Sequence, residues 1–236
     1  MPKTILVTGG ASGIGAAAVR KFAQGGWRVT FLDVNARKAK ELIEAVDSAE
    51  PICFYKGTTD SRGDLEAALE LAADDAGGID ALFVNAGIYR PGSIIDMEEA
   101  SLAEMIQTNI VGTINTLQSA IPYLANAEEG TASVVLAGAG DSLSSATGNC
   151  GYGLTQAAIG QIARSAAADL AHLGIRVNAV CPQAVATPMG AAMTKHSSSD
   201  DTMVTPEEVA SFVYFLCGDE AGASSGNLYQ ISSSIS

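Results

Sequence analysis

The sequence predicts an α/β fold: a single doubly wound parallel sheet of about seven strands with helices on both faces. Three observations carry this prediction. Short apolar, β-branched runs recur along the 236 residues. Helix-forming stretches separate them, which is the pattern of parallel βαβ units. The first run, Ile5-Leu6-Val7, passes directly into a glycine-rich turn and then into a helix.

That first unit carries the most information. Thr8-Gly9-Gly10-Ala11-Ser12-Gly13-Ile14-Gly15 follows the strand, and Ala16 to Gln24 has helical composition. A tight turn needs glycine, close approach of a pyrophosphate needs a missing Cβ, and a helix N-terminus presents free N–H groups to the anion. The second strand, Arg28 to Leu32, ends at Asp33, 18 positions after Gly15. An acidic residue there accepts hydrogen bonds from adenosine ribose hydroxyls and repels a 2′-phosphate, which favours NAD over NADP; Arg37 nearby argues the other way. The unit is Rossmann-like.

The remaining elements follow in order. Asn35 caps a helix through Lys38 to Val46, and Pro51 to Tyr55 reads as the third strand. Leu65 to Ala76 is helical, and Ile79 to Val84 is the fourth strand, ending at Asn85-Ala86-Gly87. A long helix from Ser101 to Leu124 contains Asn109. Ala132 to Leu136 is the fifth strand, Gly151 to Ala171 a helix rich in small residues, and Ile175 to Val180 the sixth strand. Pro182 and Thr187-Pro188-Met189 come next, then a short polar lid at about 190–204, expected to be flexible without ligand. Thr205 caps the last helix, opened by Pro206, and Asn227 to Ile231 is the final strand. Residues 1–236 form one domain.

Composition narrows the function classes. A net charge of -13 and a pI near 4.4 exclude a nucleic-acid partner, because phosphate binding needs a basic surface. No apolar run is long enough to span a membrane and no signal peptide precedes the first strand, so a soluble cytoplasmic protein is expected. Cys53, Cys150, Cys181 and Cys217 are far apart and lie in or beside apolar runs. They are expected to be four buried free thiols, and with His172 and His196 isolated no metal site is predicted.

The chain resembles the short-chain dehydrogenase/reductase family, of the classical type, from about Lys3 to about Ile231. The motifs that carry the resemblance are Thr8 to Gly15, Asn85-Ala86-Gly87, Asn109 in a long helix, Tyr152, and Arg176-Val177-Asn178-Ala179-Val180-Cys181-Pro182. The resemblance implies NAD as cofactor, held by Gly9, Ser12, Gly13, Ile14, Gly15, Asp33, Asn85, Ala86, Gly87, Tyr152, Gln156, Pro182 and Thr187. It implies that Asn109 holds a water of the proton relay. It also implies a homodimer or homotetramer built through the two long helices, acting on a small-molecule substrate.

The resemblance fails at the centre of the site. The family places a Lys four residues after the Tyr, where it binds the nicotinamide ribose and lowers the Tyr pKa; this chain has Gln156. The family's Ser lies thirteen residues before the Tyr, where this chain has Ala139. The catalytic positions are therefore Tyr152, Asn109, Gln156 and Ala139. Weaker departures are Gln183 after Pro182, Gly57 after the third strand, and Ser232-Ser233-Ser234 near the C-terminus.

A tyrosine hydroxyl titrates at about pH 10, and a nearby cation lowers that by about 1–3 pH units. Losing the cation costs general-base oxidation on the order of tenfold to a thousandfold, and losing the Ser donor a similar factor. Carbonyl reduction, with Tyr152 as neutral acid, suffers less. Ser142, Ser144 or Ser145 could replace the missing Ser if the loop shifts. Two functions fit: weak NAD(H)-dependent reduction of a small carbonyl compound (or the reverse alcohol oxidation), or a non-catalytic NAD-binding sensor or partner subunit.

Overall fold

The computed structural model describes residues 2–74, 77–127, 132–140, 148–194 and 203–232. Seven strands form one parallel sheet: β1 (Thr4–Thr8), β2 (Arg28–Asp33), β3 (Ile52–Lys56), β4 (Ala81–Val84), β5 (Ser133–Ala137), β6 (Arg176–Pro182) and β7 (Leu228–Ile231). Their order is β3-β2-β1-β4-β5-β6-β7. Chain direction across the sheet reverses between β1 and β4, which register as Ile5↔Ala81 to Thr8↔Val84. A crevice opens beyond the carboxyl ends of the strands at such a switch point.

The helices divide between the two faces because side chains alternate along each strand. Ile5 and Val7 point to one side with Phe22, Phe31 and Val213. That layer holds α1 (Gly13–Gln24), α2 (Ala36–Ala45) and α8 (Pro206–Cys217). Leu6 points to the other with Leu69, Leu124 and Ile159. There lie α3 (Arg62–Ala73), α5 (Gly112–Leu124) and α6 (Cys150–Leu170). Both clusters are buried on a parallel sheet, which is why the strands read as continuous apolar runs rather than alternating ones.

Several boundaries differ from the sequence reading. The third helix runs Arg62–Ala73 rather than Leu65 to Ala76, because the Ser61 hydroxyl accepts the Asp64 N–H at 3.2 Å and starts it earlier. The long helix is not uniform: α4 (Glu99–Met105) and α5 are joined by a π-helical segment, Ile106–Val111, which contains Asn109. The described part of the expected lid is helical, α7 (Pro188–Thr194), and Val204 pairs with Val185. Lys195 to Asp201, Ser233 and Ser234 lie outside the described residues.

The expectation of four buried cysteines is corrected. Cys181 and Cys217 are buried, Cys53 is half-buried on the edge strand β3, and Cys150 is exposed at the head of α6. Burial pushes the Cys217 thiol up to about 12, so it is a packing group and not a nucleophile. Among the described residues no group of His, Cys, Asp and Glu could hold a metal, and no helix is long and apolar enough to cross a membrane.

Candidate active site

The glycine turn is shaped by its neighbours as much as by its own torsions. Gly9 has φ +66°, and its N–H donates to the Leu32 carbonyl at 2.8 Å, tying the turn to β2. Gly15 is fixed by close approach: a Cβ there would lie 2.1 Å from the Gly9 carbonyl oxygen. Asn85, at the end of β4, closes the turn from the other side. Its amide donates to the Thr8 and Gly9 carbonyls at 3.2 and 3.0 Å. The Thr8 hydroxyl accepts the backbone N–H groups of Asn85 and Ala86.

These elements line one cavity of about 610 Å³ at the switch point. Gly9, Ser12, Gly13, Ile14, Asp33, Asn85, Ala86, Gly87, Asn109, Tyr152, Gln156 and Thr187 all reach its wall. Gly15 and Pro182 do not: Gly15 packs beneath the turn, and Pro182 is buried at the end of β6. Asp33 holds the turn together, its two carboxylate oxygens accepting the Ala11 N–H at 2.9 Å and the Asn35 N–H at 2.8 Å.

Asn109 acts as a brace. The amide oxygen accepts the Ile88 N–H at 2.8 Å, and the amide nitrogen donates to the Ile88 carbonyl at 2.9 Å and to the Thr155 hydroxyl at 3.1 Å. Thr155 in turn donates to the Tyr152 carbonyl at 2.8 Å. Even the Asn109 backbone carbonyl is engaged, accepting the Thr113 hydroxyl at 2.7 Å. A π segment frees backbone groups from the regular ladder, and such segments recur at functional sites. Here it lets a residue 2% exposed face the β4 loop and α6 together.

Tyr152 and Gln156 stand one turn apart on α6, 8% and 4% exposed. The Tyr152 ring meets Tyr89 edge-on, with centroids 5.4 Å apart. It packs with Met105 and Ala139, and Ile88, Met97 and Met193 complete an apolar, sulfur-rich surround. Ala139 presents a methyl group to this cluster. The oxygen Oε1 of Gln156 is buried and has no hydrogen-bond partner among the described residues. An unsatisfied buried acceptor costs about 1–3 kcal/mol, a cost that a ligand hydroxyl removes. The residues therefore fit a ribose-bearing nucleotide, by the orphan acceptor at one end and the glycine turn at the other.

The family described as short chain dehydrogenase matches residues 3–198. The chain belongs to the short-chain dehydrogenase family. It is an oxidoreductase of that type. Oxidoreductase UcpA of Salmonella typhimurium is 30% identical, over 95% of this chain and 90% of that protein. A short chain dehydrogenase from Burkholderia cenocepacia, solved in complex with NADP, is 26% identical with a TM-score of 0.87, covering 98% of this chain and 96% of the other. The 3-ketoacyl-(acyl-carrier-protein) reductase from Brucella melitensis, complexed with NADH, shares the fold at 24% identity and a TM-score of 0.88, with 98% and 96% covered.

Some wall residues of this short-chain dehydrogenase escaped the sequence reading. Thr155 carries no motif and stands behind the wall: it is fully buried and links Asn109 to Tyr152. Thr113 was signalled only by its i, i+4 spacing from Asn109. Thr58 and Asp60 lie after β3 and Lys38 in the first turn of α2, none of them within a motif, yet all three reach the cavity. Arg37, weighed as a phosphate ligand, instead pairs with Glu41 at 2.6 Å. Gly57 is also explained: Asp64 from α3 occupies the space a side chain there would need, and its carboxylate accepts the Thr58 N–H at 2.9 Å. The candidate substitutes Ser142, Ser144 and Ser145 lie outside the described residues.

Proposed function

We propose that this short-chain dehydrogenase binds NAD(H) and reduces a small carbonyl compound, with turnover held low by the absence of the Ser and Lys partners of Tyr152. The observation that carries this reading is the buried, unpartnered Gln156 Oε1 in the wall that also holds Tyr152. A nicotinamide nucleotide held in this cavity would supply the hydride for the carbonyl carbon. Tyr152 would act as the neutral acid and give its phenolic proton to the carbonyl oxygen, becoming a phenolate that regains a proton from solvent. Gln156 accepts a hydrogen bond from a ribose hydroxyl and orients the nucleotide, but brings no charge. Ser12, Gly13 and Ile14 at the head of α1 present N–H groups to the pyrophosphate, and Asp33 faces the adenosine ribose.

The reverse oxidation is the slower direction, because Tyr152 would have to act as a base with Gln156 in place of the family's Lys. The apolar surround of Tyr89, Met97, Met105 and Met193 favours an uncharged substrate. The test is NADH titration followed by a panel of neutral ketones and aldehydes, on wild type and on the double variant Ala139→Ser with Gln156→Lys. Wild type binds NADH and turns over slowly; the double variant gains at least tenfold in kcat/KM. Fast wild-type turnover that the double change leaves unimproved defeats the impaired-site reading.

The same proposal includes self-association. Val111 and Ile114, one turn apart where the π segment meets α5, are 36% and 38% exposed, and Leu154 on the adjoining α6 is 53% exposed. Apolar side chains on two neighbouring helices suit contact with a second copy, as a homodimer or homotetramer.

A further inference from the structure

Tyr89 belongs to none of the motifs that mark the site, yet its ring meets that of Tyr152 at an interplanar angle of 89°, with centroids 5.4 Å apart. Aromatic rings favour this arrangement because the positive edge of one faces the negative face of the other. The far end of Tyr89 is anchored. Its hydroxyl donates to Oδ1 of Asn149 at 2.9 Å. Asn149 is 7% exposed and occupies the N-cap position of α6, three residues before Tyr152, but its side chain makes no capping bond. An asparagine there ordinarily spends its oxygen on a backbone N–H of the first turn. Here the oxygen holds a tyrosine instead.

The backbone fastens the same two segments together. Gly92, three residues after Tyr89, donates its N–H to the Gly148 carbonyl at 2.9 Å, and its carbonyl accepts the Cys150 N–H at 3.1 Å. A Cβ on Gly92 would lie 2.4 Å from Cε of Met97, and one on Gly151 would lie 2.7 Å from Cε of Met105. The loop after β4 and the head of α6 are therefore joined by backbone bonds, by close packing and by the Tyr89 side chain. Tyr89 is tied to the helix start that carries the ring it touches.

The resemblance to the family gives the work of aiming the phenol to a Ser and a Lys, and this chain has Ala139 and Gln156 in their places. Ala139 brings a methyl group to the cluster around Tyr152, and Tyr89 packs against that cluster. Proton transfer needs the phenolic oxygen within hydrogen-bond reach of the carbonyl, and a misplacement of about 1 Å costs on the order of a hundredfold in rate. We propose that Tyr89 is a positioning residue for the reduction: its ring, anchored through its hydroxyl to Asn149, fixes the ring plane of Tyr152 and so aims the phenolic proton. The proposal rests on the reading of Tyr152 as the acid of a carbonyl reduction.

Two measurements on the full chain test it, with Tyr89→Leu, Tyr89→Phe, Asn149→Ala and the last two combined, each checked for folding by its Tm. In the first, nuclear magnetic resonance on protein carrying isotope-labelled tyrosine follows the Tyr152 ring, assigned by its loss in Tyr152→Phe. Tyr89→Leu moves the Tyr152 resonances toward their unfolded-chain positions. In the second, steady-state kinetics uses NADH and the neutral ketone of the panel that wild type reduces fastest. Tyr89→Leu lowers kcat about tenfold and leaves KM for the ketone and the affinity for NADH within about twofold. Tyr89→Phe and Asn149→Ala each cost about threefold in kcat, and the combined variant costs no more, because all three remove one hydrogen bond. Unmoved Tyr152 resonances or an unchanged kcat in Tyr89→Leu overturns the proposal, as does a raised KM at constant kcat, which is the mark of a substrate contact. Losses that multiply in the combined variant overturn the anchor. If wild type reduces no carbonyl of the panel, the functional reading fails and the positioning role with it; the Tyr152 resonances still report whether the ring contact exists, so the two failures are told apart.

Discussion

Thr155 and Gln156 are neighbours in sequence with opposite hydrogen-bond states, and the difference separates structure from ligand binding. The Thr155 hydroxyl accepts from Asn109 and donates to the Tyr152 carbonyl, so it holds the start of α6 against the β4 loop. Thr155→Val keeps the shape and strands a donor hydrogen of the Asn109 amide. It should cost about 1–3 kcal/mol, or roughly 2–12 °C in Tm by differential scanning calorimetry. Gln156 has nothing to lose in the free protein, because its Oε1 is already unpartnered. Gln156→Leu should therefore leave the free protein's Tm unchanged or higher, while weakening NADH about fivefold to tenfold, measured by titration. A fall in Tm without change in affinity would make Gln156 a packing residue.

At the scale of elements, two helix starts were legible from their caps, because capping chemistry is local. Asn35 and Thr205 both cap the helices assigned to them, Asn35 accepting the Lys38 N–H at 3.1 Å. Thr205 and Glu208 form a reciprocal box: the Glu208 carboxylate accepts the Thr205 N–H at 2.7 Å, and the Glu208 N–H donates to the Thr205 hydroxyl at 3.2 Å. The Thr205 backbone N–H, and then its hydroxyl, hold the Glu208 carboxyl below its ordinary value of 4.5. A depressed carboxyl stabilises the fold above its unfolded-state value and loses that contribution as pH falls through the folded one. Thr205→Ala should lower Tm by a few degrees at pH 7, and the gap from wild type should narrow below about pH 4.5 in acid melts. The π segment was not legible in this way. A regular apolar period runs through Ser101 to Leu124, and the extra residue per turn is set by Asn109 reaching Ile88 and Thr155, which are distant in sequence.

For the whole molecule, the parallel sheet of about seven strands with helices on both faces followed from strand–helix alternation, and most of the cavity wall followed from motifs at strand ends. What sequence could not reveal were side-chain contacts between elements, such as Asn109 bracing Ile88 and Thr155, and Asp64 filling the space at Gly57. Self-association belongs to this scale too, and charge and apolar surface pull it in opposite directions. Each copy carries a formal charge of -13, so two copies repel at long range. Val111, Ile114 and Leu154 gain by leaving water at short range, at about 25 cal/mol per Å² buried. Salt screens the first effect and leaves the second, with a Debye length of about 8 Å at 0.15 M. Light scattering coupled to size exclusion should therefore show a dimer or tetramer that tightens as salt rises. Ile114→Asp combined with Leu154→Asp should give a monomer with unchanged far-ultraviolet circular dichroism. A wild type that remains monomeric at high salt, or a double variant that keeps the wild-type mass, would show that these side chains do not form the interface.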